Sequence, residues 1–142
     1  MIRPVEPQDA ASLHEIFTTS LGYSCTPEVI GERIDELRGD PRFVSLVCED
    51  ENSSVQGFIH AMRYDTLHSL GGWDVISLAV APSEQGKGIG RQLLKACEQE
   101  VLRRGGTYVR LNSRVERTEA HGFYEHVGYT CDKLQKRFIR RL

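Results

Sequence analysis

This sequence predicts an α/β fold in the α+β sense, a mixed sheet with helices on its faces, and three observations predict it. An apolar run over residues 75–80, an amphipathic stretch over 89–102 and a β-rich run over 107–111 follow one another. Strand, helix and strand in that order imply a parallel pair joined by a right-handed crossover. Residues 43–48 and 55–64 flank a polar tip, Glu49 to Ser54, and read as an antiparallel hairpin. Upstream of the hairpin, apolar residues recur at helical rather than alternating spacing.

In chain order, Ile2 to Val5 is a short opening strand. Asp9 is placed to cap a helix whose Leu13, Ile16 and Phe17 share one face. Thr26-Pro27 opens a second helix, Thr as N-cap and Pro at the first helical position. Ile30, Ile34 and Leu37 line one side of it and Gly39 closes it. Its acidic outer residues read as a solvated face. After the hairpin, residues 65–72 form a loop, and 75–80 form a strand covered on both faces, stopped by Pro82. Ile89, Leu93, Leu94, Cys97, Val101 and Leu102 give the next helix a wide buried stripe, ended by Gly105-Gly106. Residues 107–111 are a strand, 118–126 a short helix stopped at Gly128, and 129–131 and 134–139 the last two strands.

A chain of 142 residues suits one domain, residues 1–142, with no linker or repeat dividing it. No stretch approaches the roughly 20 apolar residues of a membrane span. The opening residues carry no apolar signal region, so a cytoplasmic protein without a membrane partner is expected. Cys25, Cys48, Cys97 and Cys131 show no C-x-x-C spacing and read as separate reduced thiols. The net charge of −2 conceals an asymmetry: residues 1–85 carry −9 and residues 86–142 carry +7. A basic half can receive an anionic ligand. Nucleic acid is disfavoured, because the pI is about 6.2 and neither a recognition helix nor a zinc spacing is present.

The segment Gln85-Gly86-Lys87-Gly88-Ile89-Gly90-Arg91 lies between the buried strand and the helix. Three glycines permit positive φ and leave the backbone bare, so N–H groups at the helix start can face an anion. Lys87 and Arg91 add positive charge. A Walker A loop would need Ser or Thr after Lys87, where Gly88 stands. A dinucleotide fingerprint would need a small residue at Arg91 and an acid about 20 residues on, where Arg110 and Asn112 stand.

The pattern present is Q-x-x-G-x-G after Leu78-Ala79-Val80-Ala81-Pro82. A second anchor, Ala120-His121-Gly122-Phe123-Tyr124, continues to Gly128-Tyr129 and has the form A-x-x-F-Y-x-x-x-G-Y. With these two segments the chain resembles the GNAT superfamily of N-acetyltransferases. The resemblance implies the acyl-CoA N-acyltransferase fold, a mostly antiparallel mixed sheet with about four helices, and acetyl-CoA as cofactor. It implies that backbone N–H groups of Gln85, Gly86, Lys87, Gly88, Ile89 and Gly90, with Arg91, hold the pyrophosphate. It implies that Leu78, Ala79 and Val80 pair with the pantetheine arm, the Val80 N–H facing the thioester carbonyl. It also implies that Tyr124 protonates the leaving thiolate.

Many members carry Glu just before the Leu of the central strand; this chain has Ser77. The remaining candidates for a proton acceptor are Asp74 and His68 first, then His60. Where the family often has Asn, this chain has Arg117, which either reaches a phosphate or faces solvent. His126 is expected to be exposed and His121 structural. Thr66-Leu67-His68 and the Arg117–Tyr124 segment partly resemble aminoalkylphosphonate N-acetyltransferases. The expected reaction is acetyl transfer from acetyl-CoA to a primary amine of a small molecule, in a ternary complex. The alternatives are a protein or peptide amine as acceptor, or a CoA-binding sensor without turnover. A homodimer is expected from the resemblance, and no ligand cluster points to a metal.

Overall fold

In a computed structural model, which describes residues 1–142, the chain divides into two compact units, residues 1–112 and 113–142. The first holds a five-stranded sheet: β1 (Ile2–Pro4), β2 (Phe43–Glu49), β3 (Val55–Tyr64), β4 (Gly72–Val80) and β5 (Tyr108–Leu111), in that spatial order. The first four strands are antiparallel neighbours, and β5 runs parallel to β4. The hairpin and the strand–helix–strand unit are therefore as the sequence predicts.

Helices α1 (Ala10–Ile16) and α2 (Pro27–Leu37) cover one face, where Ala10, Leu13, Ile30 and Ile34 pack with Val47 and Phe58. Helix α3 (Ile89–Arg103) covers the other face with Leu93, Leu94, Cys97 and Val101, all essentially sealed from solvent. Gly57 lies beneath it: a Cβ there would come within 3.0 Å of Leu93 and 3.1 Å of the Ala79 carbonyl. The α2 start is built as expected, Thr26 Oγ1 accepting from the Val29 N–H at 3.3 Å. The cysteines are unpaired; burial pushes the Cys97 thiol up to about 12, which keeps it an inert core residue.

Four expectations need correction. Asp9 stands at the N-cap of α1 but makes no side-chain cap bond. Its buried carboxylate accepts two hydrogen bonds of 2.9 Å from Arg3 and one of 2.8 Å from the Glu6 N–H, while Arg3 also donates to Glu49 at 2.8 Å. A charge-assisted fork outweighs a neutral capping bond. Strand β4 begins at Gly72 rather than at residue 75, because Gly72, Trp73 and Asp74 pair on both sides despite their weak β pattern. It is not covered throughout, since Ile76 is 52% exposed. Beyond α4 (Thr118–His126), in the second unit, no strand forms over 129–131 or 134–139. Apolar residues at strand spacing make a strand only when a neighbour satisfies the backbone. Here no ladder reaches these residues, and Leu134 and Phe138 are more than 80% exposed.

The Arg3 fork ties β1 to the α1 start and to β2. Burial raises the Asp9 carboxyl, but the Arg3 hydrogen bonds and the Glu6 N–H more than offset it, leaving it below its ordinary value. Such a carboxylate adds stability in full above about pH 4, and the contribution is lost as pH falls below that. Replacing Asp9 with Asn should cost roughly 3 kcal/mol in urea unfolding at pH 7. It should also flatten the acid limb of a stability–pH curve.

Candidate active site

The site begins with an irregularity. His60 pairs with Ser77 and Ala61 with Val75, so Ile76 is an extra residue on β4. A bulge of this kind bends its strand and adds twist. Strand β5 pairs only with Gly72–Val75 and stops where the bulge begins. Residues 76–80 therefore have a neighbour on the β3 side and no strand on the other.

Backbone alternation says which groups face that open side. The Ala81 N–H donates to the Gln56 carbonyl at 2.8 Å, toward β3. Successive N–H groups of a strand point to opposite sides, so the N–H groups of Val80 and Leu78 point away from β3. The Val80 carbonyl on that side accepts from Ser20 Oγ at 3.0 Å and from Gln85 Nε2 at 3.3 Å. Ser20 lies on a π-helical turn, Phe17–Leu21, that continues α1 and ends at Gly22 in the left-handed region. Sequence reasoning missed Ser20, because a widened turn leaves no periodic signature; the run Thr18-Thr19-Ser20 after an apolar stripe is its one visible trace.

The glycine loop follows directly. Gly86 and Gly88 hold φ of +80° and +82°, and a Cβ at either would meet nothing within 4 Å. The loop surface is therefore open, and backbone conformation rather than crowding explains the glycines. Gly88 is the N-cap of α3, whose first turn has neither a side-chain cap nor an acidic residue. The first ladder bond runs from Gln92 N–H to Gly88 carbonyl, so the earlier N–H groups of Ile89, Gly90 and Arg91 have no helical acceptor. Together with the helix dipole they favour an anion. Arg91 is exposed, whereas Lys87 is already paired with Glu84 at 2.9 Å, and the same carboxylate accepts from Gln56 at 3.1 Å.

Of the candidate proton acceptors, Asp74 is gripped by Arg110 through two hydrogen bonds, one of them 3.1 Å, and Arg110 in turn stacks on Tyr64 at 3.5 Å. His68 is exposed on the loop between β3 and β4. His60 is half-buried, its Nδ1 2.7 Å from Ser45 Oγ and its ring stacked between Phe43 and Phe58. No three His, Cys, Asp or Glu side chains converge as a metal site.

In the second unit, Tyr124 lies on α4 with edge contacts to Phe123 at 5.2 Å and Tyr129 at 6.0 Å. Burial raises its phenol above the ordinary value, against a smaller opposing pull from Arg117. The phenol is thus a proton carrier at neutral pH. Arg117 is exposed at the α4 N-cap. His126 is exposed, and His121 Nε2 is 2.8 Å from the Arg114 carbonyl.

A strand edge with a bare N–H on its open side thus leads directly into a glycine-rich helix start. Residues 10–129 match the acetyltransferase (GNAT) family, and the chain belongs to it. A segment of 79 residues is 33% identical to the aminoalkylphosphonate N-acetyltransferase of Salmonella typhimurium, covering 55% of this chain and 51% of that protein. The chain thus matches about half the length of this curated relative. Among solved structures, AAC(6')-Iy in complex with the bisubstrate analogue CoA-S-monomethyl-acetylneamine superposes with a TM-score of 0.85 at 16% identity, over 100% of this chain and 98% of that one. The glucosamine-6-phosphate N-acetyltransferase of Arabidopsis thaliana gives 0.77 at 23% identity, over 98% and 97%. At these identities the likeness is one of fold.

The features fit acetyl-CoA: open space above Gly86 and Gly88, unshared N–H groups at the α3 start, and outward N–H groups at Leu78 and Val80 with no strand beside them. Gly88→Ala should cost about 1–2 kcal/mol in chemical denaturation, the strain of a side chain in the left-handed region. Gly31→Ala, in α2 at ordinary φ with only the Ala10 methyl at 3.8 Å, should show no such loss.

Proposed function

We propose that this protein transfers the acetyl group of acetyl-CoA to the primary amine of a small molecule, by direct attack in a ternary complex. The observation that carries the reading is the pairing of an unshared Val80 N–H with an adjacent, uncapped glycine-rich helix start. Acetyl-CoA supplies an activated thioester. The N–H groups of residues 85–90 and Arg91 hold its pyrophosphate, and the 78–80 edge aligns its pantetheine arm as an added strand. The Val80 N–H donates to the thioester oxygen, where negative charge grows as the amine nitrogen approaches. Ser20, by holding the Val80 carbonyl, fixes the peptide groups on this edge.

A bond forms between the amine nitrogen and the acetyl carbon, the carbon–sulfur bond breaks, and the amine gives up a proton. Tyr124 holds the proton the departing thiolate needs. Its raised affinity for that proton, the result of burial, suits a group that must stay protonated until sulfur takes it. This reading treats residues 1–142 as one acetyltransferase domain. Arg117 is kept as a second phosphate contact, and the family likeness carries the expectation of a cytoplasmic homodimer. No helix is long and apolar enough to cross a membrane.

The acceptor class to test first is aminoalkylphosphonates, for the likeness of residues 66–68 and 117–124 and for the curated relative. Thiol release from acetyl-CoA should be measured with these compounds, aminoglycosides, polyamines, amino acids and short peptides, with calorimetry of CoA binding alongside. Release with a small amine is the expected result. Release with peptides alone would move the function to protein acetylation, and CoA binding without release would favour a sensor. Tyr124→Phe should bind CoA within about twofold of wild type and lower kcat by roughly 10²-fold. Unchanged turnover would remove Tyr124 as the acid.

A further inference from the structure

We propose that His60 is the terminal proton acceptor for the amine, held in place by Ser45 and admitted to the site by the serine at position 77. The inference rests on the acetyl-transfer reading above. Antiparallel pairing sets Ser45 on β2, His60 on β3 and Ser77 on β4 side by side on one face of the sheet. Ser77 stands where many family members carry a carboxylate, and its small side chain leaves the space above it to the neighbouring imidazole. The bulge at Ile76 creates this alignment. Were alternation unbroken through Ile76, Ser77 would share the α3 face with Val75.

The ring is fixed rather than free. Phe43 and Phe58 stack on it at 5.6 and 6.2 Å, each within 9° of parallel, and Ser45 Oγ engages Nδ1 at 2.7 Å. Nε2 makes no hydrogen bond within the chain and is not sealed from solvent. With Nδ1 donating its proton to Ser45 Oγ, Nε2 is left with a bare lone pair. The groups around the ring are uncharged on both flanking strands, Ser45 and Ser77. The charge that acts on it is Arg33 of α2. Burial first and Arg33 second depress its proton affinity, so the imidazole is neutral at pH 7. Asp74, farther along β4, is occupied by Arg110.

Ser77 is three residues from Val80, or about 10 Å along the strand. A short chain of waters would carry the proton from an amine beside the thioester to Nε2. The acceptor's ammonium loses one proton through these waters to Nε2 and attacks as the neutral amine; the imidazolium releases that proton to bulk solvent, and the second proton, shed as the amide forms, restores the Tyr124 phenol.

The test compares wild type with His60→Gln and Ser45→Ala on the amine found above, across pH 6 to 10. His60→Gln should lose about 10²-fold in kcat/KM at pH 7 and recover as pH approaches the amine's own pKa, where the acceptor arrives neutral. Ser45→Ala should lose less and show the same recovery. A loss equal at every pH, or none, overturns the proposal. As a readout free of turnover, the imidazole nitrogen resonances of His60 in the free protein should report a neutral ring at pH 7, protonated on Nδ1. A charged ring there, or the proton on Nε2, also overturns it. If His60→Gln fails to fold, His60→Asn and the resonances decide. Wild type inactive with every amine would sink the acetyl-transfer reading and this role with it. Active wild type with an indifferent variant would sink this role alone.

Discussion

One extra residue in β4 sets how the far end of the sheet is arranged. Ile76 interrupts the ladder with β3 and resets which side chains face α3. Before it, Val75 packs inward; after it, Ser77 lies on the opposite face beside His60. The same irregularity coincides with the end of β5 pairing, so a strand in the middle of the chain's main sheet has one bare edge. An unpaired edge near the core would ordinarily be a defect, because backbone N–H groups need acceptors. Here side chains meet the Val80 carbonyl, Ser20 Oγ at 3.0 Å and Gln85 Nε2 at 3.3 Å, while the N–H beside it stays open. The glycine loop begins five residues beyond the edge, so one short segment presents both an unpaired strand edge and an uncapped helix start.

Much of this is legible in the sequence. The hairpin and the β4–α3–β5 unit could be read because their apolar periods are long and bounded by turn residues, Asn52-Ser53 and Gly105-Gly106 among them. The loop from Gln85 to Arg91 could be read because glycine at three alternate positions has few structural uses before a helix. The bulge could not, since it is a matter of register between strands and leaves Val75-Ile76-Ser77 looking like any apolar run. Ser20 was hidden for a related reason, as a π turn is decided by tertiary contact rather than by local preference.

The differences between sequence and structure have a common physical source. Asp9 has the chemistry of a cap, but a guanidinium six residues earlier offered it more. Asp74 looked like a solitary acid on a strand until β5 brought Arg110 alongside. Residues 134–139 have strand-like composition and no partner in this structure. In each case the side chain's nature was read correctly, and a residue distant in sequence determined its use. His60 shows the same dependence: an isolated histidine on a strand says little, and its setting comes from two aromatic neighbours and a serine at other positions.

The bare edge of β4 has a dynamic consequence. Amide hydrogens exchange with solvent only when their hydrogen bonds open, and core strands are commonly the slowest to do so. Leu78 and Val80 sit in such a strand, yet their amides face away from β3 and have no strand beside them, whereas Ala79 between them faces β3. A fast–slow–fast alternation along three consecutive residues marks a sheet left unfinished. Occupation of the edge by an extended ligand would erase it, making deuterium uptake at these two positions a label-free gauge of how fully the sheet is closed.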